Sequence, residues 1–551
     1  MSMRRDNMKS VAGICVSSSL LALSAIGCAS PASPGAATGN ATAPQVPANP
    51  GVPTGTNVPS GTGAPGPGGA AGAANGGPAI TPGAPGSNTG DVTNTPGVPT
   101  AGGGAIVPAA GAPATSGAAG SGSVPTTPPG DATVDWPVMG YDAASTYFNR
   151  GETMLSKDSA ATLEELWTAD LGGNVLGGAL QVGDKMYATG PGAVFAFDAA
   201  SGKQLWKVTA SSSSTLGYAD NTLYLHSTSS KVMAFDAADG KMKWSMTADP
   251  SGSDGSSSAL PVGGLVLVGG SNGGAELGGG RYRGYMSALD GATGTNKWTT
   301  FTVPESSVGA SFWSSAAASV EDGLVFGGTG NNYGPPATDS SDSIIAFDWN
   351  TGAIKWKFQA RMGDTFPGDF SAPDSDFGNN PVLYETAVAG APTKMVADGT
   401  KYGNVVALKR LTGEMVWRRD VCKTGAADGN SGMFTNFSYS GKSIVAACNE
   451  AGPATLYALD AATGDMLWMR ALKGRVWGRM AFANGVGVVG TGESVEIFDV
   501  DTGAVIKSFP SKGGTVASTI TISRGRIAFG EGFSWSTGNR TGSTLTVLGV
   551  K

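Results

Sequence analysis

The sequence predicts an all-β fold, an eight-bladed β-propeller of four-stranded antiparallel blades. Three observations predict it: a recurring turn-and-strand signature, an apolar run ahead of each copy, and chain ends that each read as part of a repeat. In the signature an Asp is followed four residues later by Gly and four further on by Trp. It reads Asp198/Gly202/Trp206, Asp236/Gly240/Trp244, Asp290/Gly294/Trp298, Asp348/Gly352/Trp356, a degenerate Lys409/Gly413/Trp417, and Asp460/Gly464/Trp468. A last copy, Asp499/Gly503/Lys507, has lost its Trp. A unit of this period cannot bury its faces alone, so copies must stack radially.

Each element has its own reason. The runs ahead of the Asp (VFAF, VMAF, MSAL, IIAF, LYAL) are short, apolar and β-prone, as buried strands are. Asp opens the turn by accepting from the backbone, and Gly supplies the positive φ at its end. Trp then lies on the next strand, where its ring wedges between neighbouring blades. Leu166-Trp167-Thr168-Ala169-Asp170-Leu171 is a Trp-bearing strand without a turn of its own, and Thr544 to Lys551 is a strand with no turn after it. Joining these two completes the eighth blade and removes the exposed edges.

The residues ahead of the repeats read differently. Arg4, Arg5 and Lys9, the apolar run Val11 to Ile26 and the small residues after it make residues 1–27 a secretory signal peptide. Ala25-Ile26-Gly27-Cys28 resembles a bacterial lipobox, although Leu is usual at the first position, and predicts lipidation of Cys28. Residues 28–130 are a linker of Ala, Gly, Pro, Thr, Ser and Val with Asp91 its one charge. Such a composition cannot offset chain entropy and is expected to be disordered. As a coil it would span roughly 50–60 Å. Residues 131–551 are the propeller, in an exported protein lipid-anchored at the periplasm, outer membrane or cell surface.

Composition narrows the function. The formal net charge is −7. Removing residues 1–27 takes away three positive charges and one negative, leaving about −9. No basic patch is interleaved with aromatics, which excludes nucleic acid as a partner. Apart from Cys15 and Cys28, Cys422 and Cys448 are the only thiols. A single pair in an exported protein predicts a disulfide. His226 is the only histidine and lies in a strand pattern, which leaves no His-rich metal site and reads as structural.

Asp-to-Asp spacings of 38, 54, 58, 61, 51 and 39 residues, with Lys409 at the degenerate position, place insertions in the central blades. Long loops on a rigid scaffold are where sites are built. The segment from Trp313 to Ala360 resembles the quinoprotein alcohol dehydrogenases that use pyrroloquinoline quinone (PQQ), most nearly the polyvinyl-alcohol dehydrogenase type. Asp135-Trp136-Pro137-Val138-Met139-Gly140-Tyr141-Asp142 and Asp374-Ser375-Asp376-Phe377-Gly378 fit the same group. The resemblance implies a metal set of Glu276, Asn331, Asp374 and Asp376. It implies Trp313 as the indole under the quinone, Ala275 and Arg283 as further cofactor contacts, and Lys401 as the cation on the quinone carbonyls. Asp374 becomes the catalytic base, a choice over Asp364, Asp369 and Asp376 that rests on spacing alone.

Taken as chemistry, these residues form a hard oxygen set suited to Ca²⁺. In the family the chain resembles, a second aspartate two residues after the base goes with lanthanide preference, so the resemblance at Asp376 implies lanthanide use as a further expectation. The family's adjacent cysteine pair is absent, so the cofactor's upper face needs another cover. The resemblance implies an alcohol, secondary or polymeric, as substrate and a separate electron acceptor such as a c-type cytochrome. The alternative is a non-catalytic propeller, since a lipoprotein of the bacterial outer-membrane assembly machinery also resembles this chain in repeat and anchor. Fold does not fix function.

Overall fold

The computed structural model describes residues 133–212, 214–228, 230–248, 257–366, 374–422, 431–435, 437–450, 452–533 and 540–550. The signal peptide, Cys28 and the linker lie outside the described residues. Among the described residues, eight four-stranded antiparallel sheets form the eight blades of a propeller. Blade 1 comprises Ala179–Val182, Lys185–Gly190, Ala193–Asp198 and Gln204–Thr209. From first to fourth strand, blade 2 runs from Gly217–Ala219 to Met242–Thr247 and blade 3 from Leu260–Val262 to Asn296–Phe301. Blade 4 runs from Ala317–Ser319 to Ile354–Gln359 and blade 5 from Val382–Val388 to Met415–Asp420. Blade 6 runs from Phe437–Tyr439 to Met466–Ala471 and blade 7 from Ala481–Ala483 to Val505–Pro510.

Blade 8 takes Thr521–Ser523, Arg526–Gly530 and Thr544–Gly549 from the C-terminus and Glu164–Asp170 from the N-terminal side. Trp167 pairs with Val547 and Asp170 with Thr544 in that last ladder. The expected closure by the two half-repeats is what the chain does, and among the described residues it completes the eighth blade.

The junctions explain the signature. Asp198 Oδ1 accepts from the backbone and hydroxyl of Ser201, and Gly202 follows with φ +71°. A side chain on Gly202 would run into the Trp167 ring, so only glycine lets the indole of one blade lie on the turn of the next. The same contact joins Trp206 to Gly240, Trp244 to Gly294, Trp298 to Gly352, Trp356 to Gly413, Trp417 to Gly464 and Trp468 to Gly503. Six of these indoles also donate to a backbone carbonyl of the neighbouring turn, as Trp298 does to Trp349 at 2.9 Å. Trp206 is the exception. Tyr187 donates to Ala237 O, the equivalent acceptor, and the Trp206 N–H is buried without a partner, although at Gly291 and Ala461 a Tyr and a Trp share one carbonyl. Where the last copy has lost its Trp, Lys507 reaches across instead and donates to the carbonyls of Ala161 and Leu163.

The strand directions define two faces. Within an antiparallel blade the first–second and third–fourth turns share one face. The second–third loops and the blade-to-blade connections share the other. The Asp–Gly turns belong to the first face, and every long insertion to the second.

One element has no counterpart in the repeat. Residues 134–149 thread the axis and hydrogen-bond to the innermost strands of seven blades, through Gln181, Tyr218, Ala318, Leu383, Tyr439, Phe482 and Ser523. Val138 packs into the core of the remaining one, blade 3. Asp135 fixes the turn-face end, accepting from Gly183 N–H and pairing with Arg524 at 2.9 Å. Tyr141, Ser145 and Tyr147 hold left-handed φ values of 73°, 57° and 58°. Each costs about 1–3 kcal/mol in a non-glycine residue and persists only where surrounding contacts dictate it. All three are buried. A residual cavity of about 10 Å³ between this segment and blades 3 to 5 has room for one water.

Candidate active site

The candidate side chains come from loops of the insertion-bearing face. Glu276 lies on a short helix, Gly273–Gly278, inserted between the second and third strands of blade 3. Asn272 caps the start of that helix by accepting from Ala275 N–H, and Gly279 ends it with φ +69°. Trp313 precedes the first strand of blade 4, Asn331 follows its second, Asp374 and Asp376 precede blade 5, and Lys401 follows the second strand of blade 5.

The loops bring five of these together. Lys401 Nζ donates to Asp374 Oδ2 and lies 3.6 Å from Asp376 Oδ2. Asp376 also accepts from Asn331 N–H at 2.8 Å and from the Trp313 indole N–H at 3.0 Å. Asn331 donates its side-chain amide to Asn332 O and Phe366 O. Lys401 lies over the Trp313 and Phe434 rings at 5.5 and 5.3 Å. Lys401 and both aspartates are at least nine-tenths buried. Glu276 belongs to the same electrostatic field, since it helps to hold the Lys401 proton. Ala275 packs on the apolar cluster around Tyr282 and Tyr285. Arg283 is committed elsewhere, donating twice to Val303 O and stacking 4.0 Å from the Phe301 ring.

Burial sets the proton affinities. It pushes Asp374 up to about 7, with Lys401 pulling down and Asp376 pushing further up. Burial alone would lower Lys401, but Asp374, Asp376 and Glu276 outweigh it and keep the ammonium charged. Asp374 Oδ1 is buried with no hydrogen-bond partner.

Two carboxylates that the spacing did not single out share the site. Asp342 is fully buried, has no partner on either oxygen, and is pushed well up by burial and by Asp364, Asp376 and Asp374. Asp364, which had been weighed against Asp374 as the base, instead accepts from the backbone of Phe366 and Ser375. Its acidity too is weakened by burial. In sequence both look like ordinary turn residues. The only signal was their place in insertions of the blades that carry the other site residues. Asp369 lies outside the described residues.

The residues fit a hard cation in kind. They supply carboxylate and amide oxygens, an orphaned carboxylate oxygen on Asp374, and a net negative field. Among the described residues, though, no three His, Cys, Asp or Glu side chains already converge as a metal cage. Beside Trp313, at 6.5 Å and 61° to it, Phe434 begins an aromatic run that continues through Trp477 to Phe533. Gly378 makes room for this arrangement, because a side chain there would overlap the Trp313 ring.

Cys422 and Cys448 are joined as a disulfide, with Cα atoms 5.7 Å apart. His226 is fully buried, bonds to Ser257 O through Nδ1, and is held down to about 4 by burial. It lies outside this cluster. No helix among the described residues is long and apolar enough to cross a membrane.

A repeat-family model described as outer membrane protein assembly factor BamB matches residues 154–385, 277–435 and 401–550. The polyvinylalcohol dehydrogenase of Sphingopyxis sp. (strain 113P3) is 26% identical over 34% of this chain and 33% of its own length. The quinohemoprotein alcohol dehydrogenase of Comamonas testosteroni is 27% identical over 30% of this chain and 27% of its own. The aligned stretches thus span a third or less of these relatives. The crystal structure of the Comamonas enzyme superposes with a TM-score of 0.64 at 19% identity, covering 76% of this chain and 81% of that one. A europium-containing methanol dehydrogenase gives 0.64 at 17%, covering 75% and 98%. These superpositions show a shared fold.

Proposed function

This chain belongs to the repeat family whose model is described as outer membrane protein assembly factor BamB, and from that premise we propose that it is an exported quinoprotein alcohol dehydrogenase. The observation that carries the reading is the buried Asp374, one oxygen held by Lys401 and the other without a partner. A scaffold has no need of an ion pair taken out of water at such cost. The similarity to polyvinylalcohol and quinohemoprotein alcohol dehydrogenases supports the same reading.

Glu276, Asn331, Asp374 and Asp376 would hold the cation, and Trp313 would carry the flat face of PQQ. When bound, PQQ supplies a hydride acceptor whose carbonyl the cation polarises. This chain's part is positional and electrostatic. An alcohol loses one proton and one hydride on becoming a carbonyl compound. Asp374, pushed up to about 7, is matched to taking the hydroxyl proton near neutral pH. The Lys401 ammonium, charged by its acidic neighbours, donates hydrogen bonds toward developing negative charge. Phe434, Trp477 and Phe533 exclude water beside the indole. The substrate is an alcohol, secondary or polymeric, and electrons leave to a separate acceptor such as a c-type cytochrome. Cys28 would anchor the protein by lipid at the periplasm or outer membrane.

The full chain is titrated with PQQ and Ca²⁺, or La³⁺, following cofactor absorbance and thermal stability. A Glu276→Ala, Asn331→Ala double variant runs beside it. Metal-dependent binding that the variant loses supports the reading, and a La³⁺ preference would assign the extra charge of Asp376 to a trivalent ion. The family description favours one second reading, a protein-binding scaffold. Absence of binding with either ion would move the assignment there.

A further inference from the structure

The disulfide is far from a generic staple in where it acts. Lys401 sits in a tight turn that Gly403 N–H closes on Thr400 O at 2.9 Å. Two jaws grip this turn. On one side the Cys422 side chain fills the place a side chain on Gly403 would take, and Val421 and Cys422 both donate backbone N–H to Gly403 O. On the other, Gly432 lies so close beneath Lys401 O that any side chain on it would collide with that oxygen. Gly432 is in turn paired with Asn449, by N–H to O bonds of 2.7 and 3.0 Å in the two directions. Asn449 is the neighbour of Cys448, and its side chain is pinned to Val476 at 2.8 and 2.9 Å.

The Cys422–Cys448 bond therefore joins the two jaws directly. It belongs to two different blades, linking the exit of blade 5 to the second strand of blade 6. Without it the Cys422 jaw is held to Gly403 by the two backbone hydrogen bonds of Val421 and Cys422 and is no longer tied to the Gly432 jaw. The turn would then rest on backbone hydrogen bonds, among them that of Lys401 N–H to Asp376 O at 2.9 Å, with no covalent tie between the jaws.

We propose that this disulfide is a positioning element for Lys401, holding its ammonium on Asp374 and Asp376, so that reduction releases the lysine without unfolding the ring. The positioning concerns the site assigned above and matters for catalysis only if that assignment holds. The geometric claim does not depend on it. Reduction breaks one S–S bond and leaves two thiols, the two electrons coming from an added phosphine.

The test is amine acylation of the folded full chain, with each lysine read by mass spectrometry across pH, before and after reduction by a water-soluble phosphine. A Cys422→Ser, Cys448→Ser variant is compared with it. Lys401 is expected to label at least about tenfold faster once the bond is gone, as local opening allows. Lys207 and Lys355 on outer strands should stay unchanged. Equal Lys401 rates in oxidised and reduced protein would overturn the proposal, as would a uniform rise at all lysines, which marks general loosening. If the double variant fails to fold, reduction of the folded wild type still decides. PQQ turnover is read in parallel. A Lys401 change with no turnover in any form upholds the clamp and rejects the dehydrogenase, so the two ideas fail separately.

Discussion

The two faces of the ring use the same residue in opposite ways. On the turn face, Asp198, Asp290 and Asp348 are open to water, and hydrogen bonds from Ser201, Lys297 and Thr351 hold their carboxyls below the usual range. On the loop face, Asp342, Asp364 and Asp374 are buried, and burial pushes all three above it. The first group answers to neighbours three to seven residues along the same hairpin. The second answers first to burial, and for Asp342 and Asp374 also to side chains of other loops that the ring brings together. Local bonds make a turn that any copy can repeat, whereas desolvation needs the whole fold.

The largest test of this contrast is Asp374→Asn. An amide keeps the shape and cannot take a proton, so PQQ-dependent alcohol oxidation should fall by about 10²–10⁴-fold while circular dichroism stays unchanged. Retained turnover would pass the base role to another carboxylate. The matching lesion among the junctions is Trp298→Ala. It leaves a void against Gly352 and should cost about 3–5 kcal/mol in urea unfolding, with PQQ affinity altered far less than stability.

Asp342→Asn sharpens the comparison by sign. Asp342 is faced by Asp364, Asp374, Asp376 and Arg361, and its folded-state proton affinity is raised. Its contribution to stability is then complete below the unfolded value near 4 and is lost as pH rises through the raised one. The turn aspartates behave inversely, contributing above the unfolded value and losing it as pH falls. The amide should therefore stabilise the cation-free protein at pH 8 by about 1–3 kcal/mol and do little at pH 4. Melting curves at both pH values check this, and an equal effect at both would reject it. Smallest of all should be Asp348→Ala, an exposed turn change that lowers the melting temperature slightly, and only above pH 4.

Much of this was readable from residues alone. The Asp-to-Trp spacing gave the blades, and the half-repeats around Trp167 and Leu548 gave the closure, because period and turn chemistry are local properties. Asp374, Asp376, Lys401, Trp313 and Asn331 came from likeness to a family, and the loops do bring them together. Arg283 shows the limit of such transfer. Its neighbours Val303 and Phe301 take up its guanidinium, and no motif encodes that. Asp342 and Asp364 look like turn formers until the chain is folded over them. The axial segment was legible only as a resemblance. Its left-handed Tyr141, Ser145 and Tyr147 carry no Gly or Asn signal, because contacts with eight blades, and not local preference, impose those angles.

That segment has a consequence for traffic. A bare ring has two mouths, and a solute at its centre can leave by the side opposite its entry. Among the described residues the axis is filled from Asp135 upward, and the void beside Asp142 and Asn380 admits one water. The ring is thus a cup. With the axis so filled, the loop face that carries Asp374 is the open side for what reaches it, and incoming and outgoing molecules share that side.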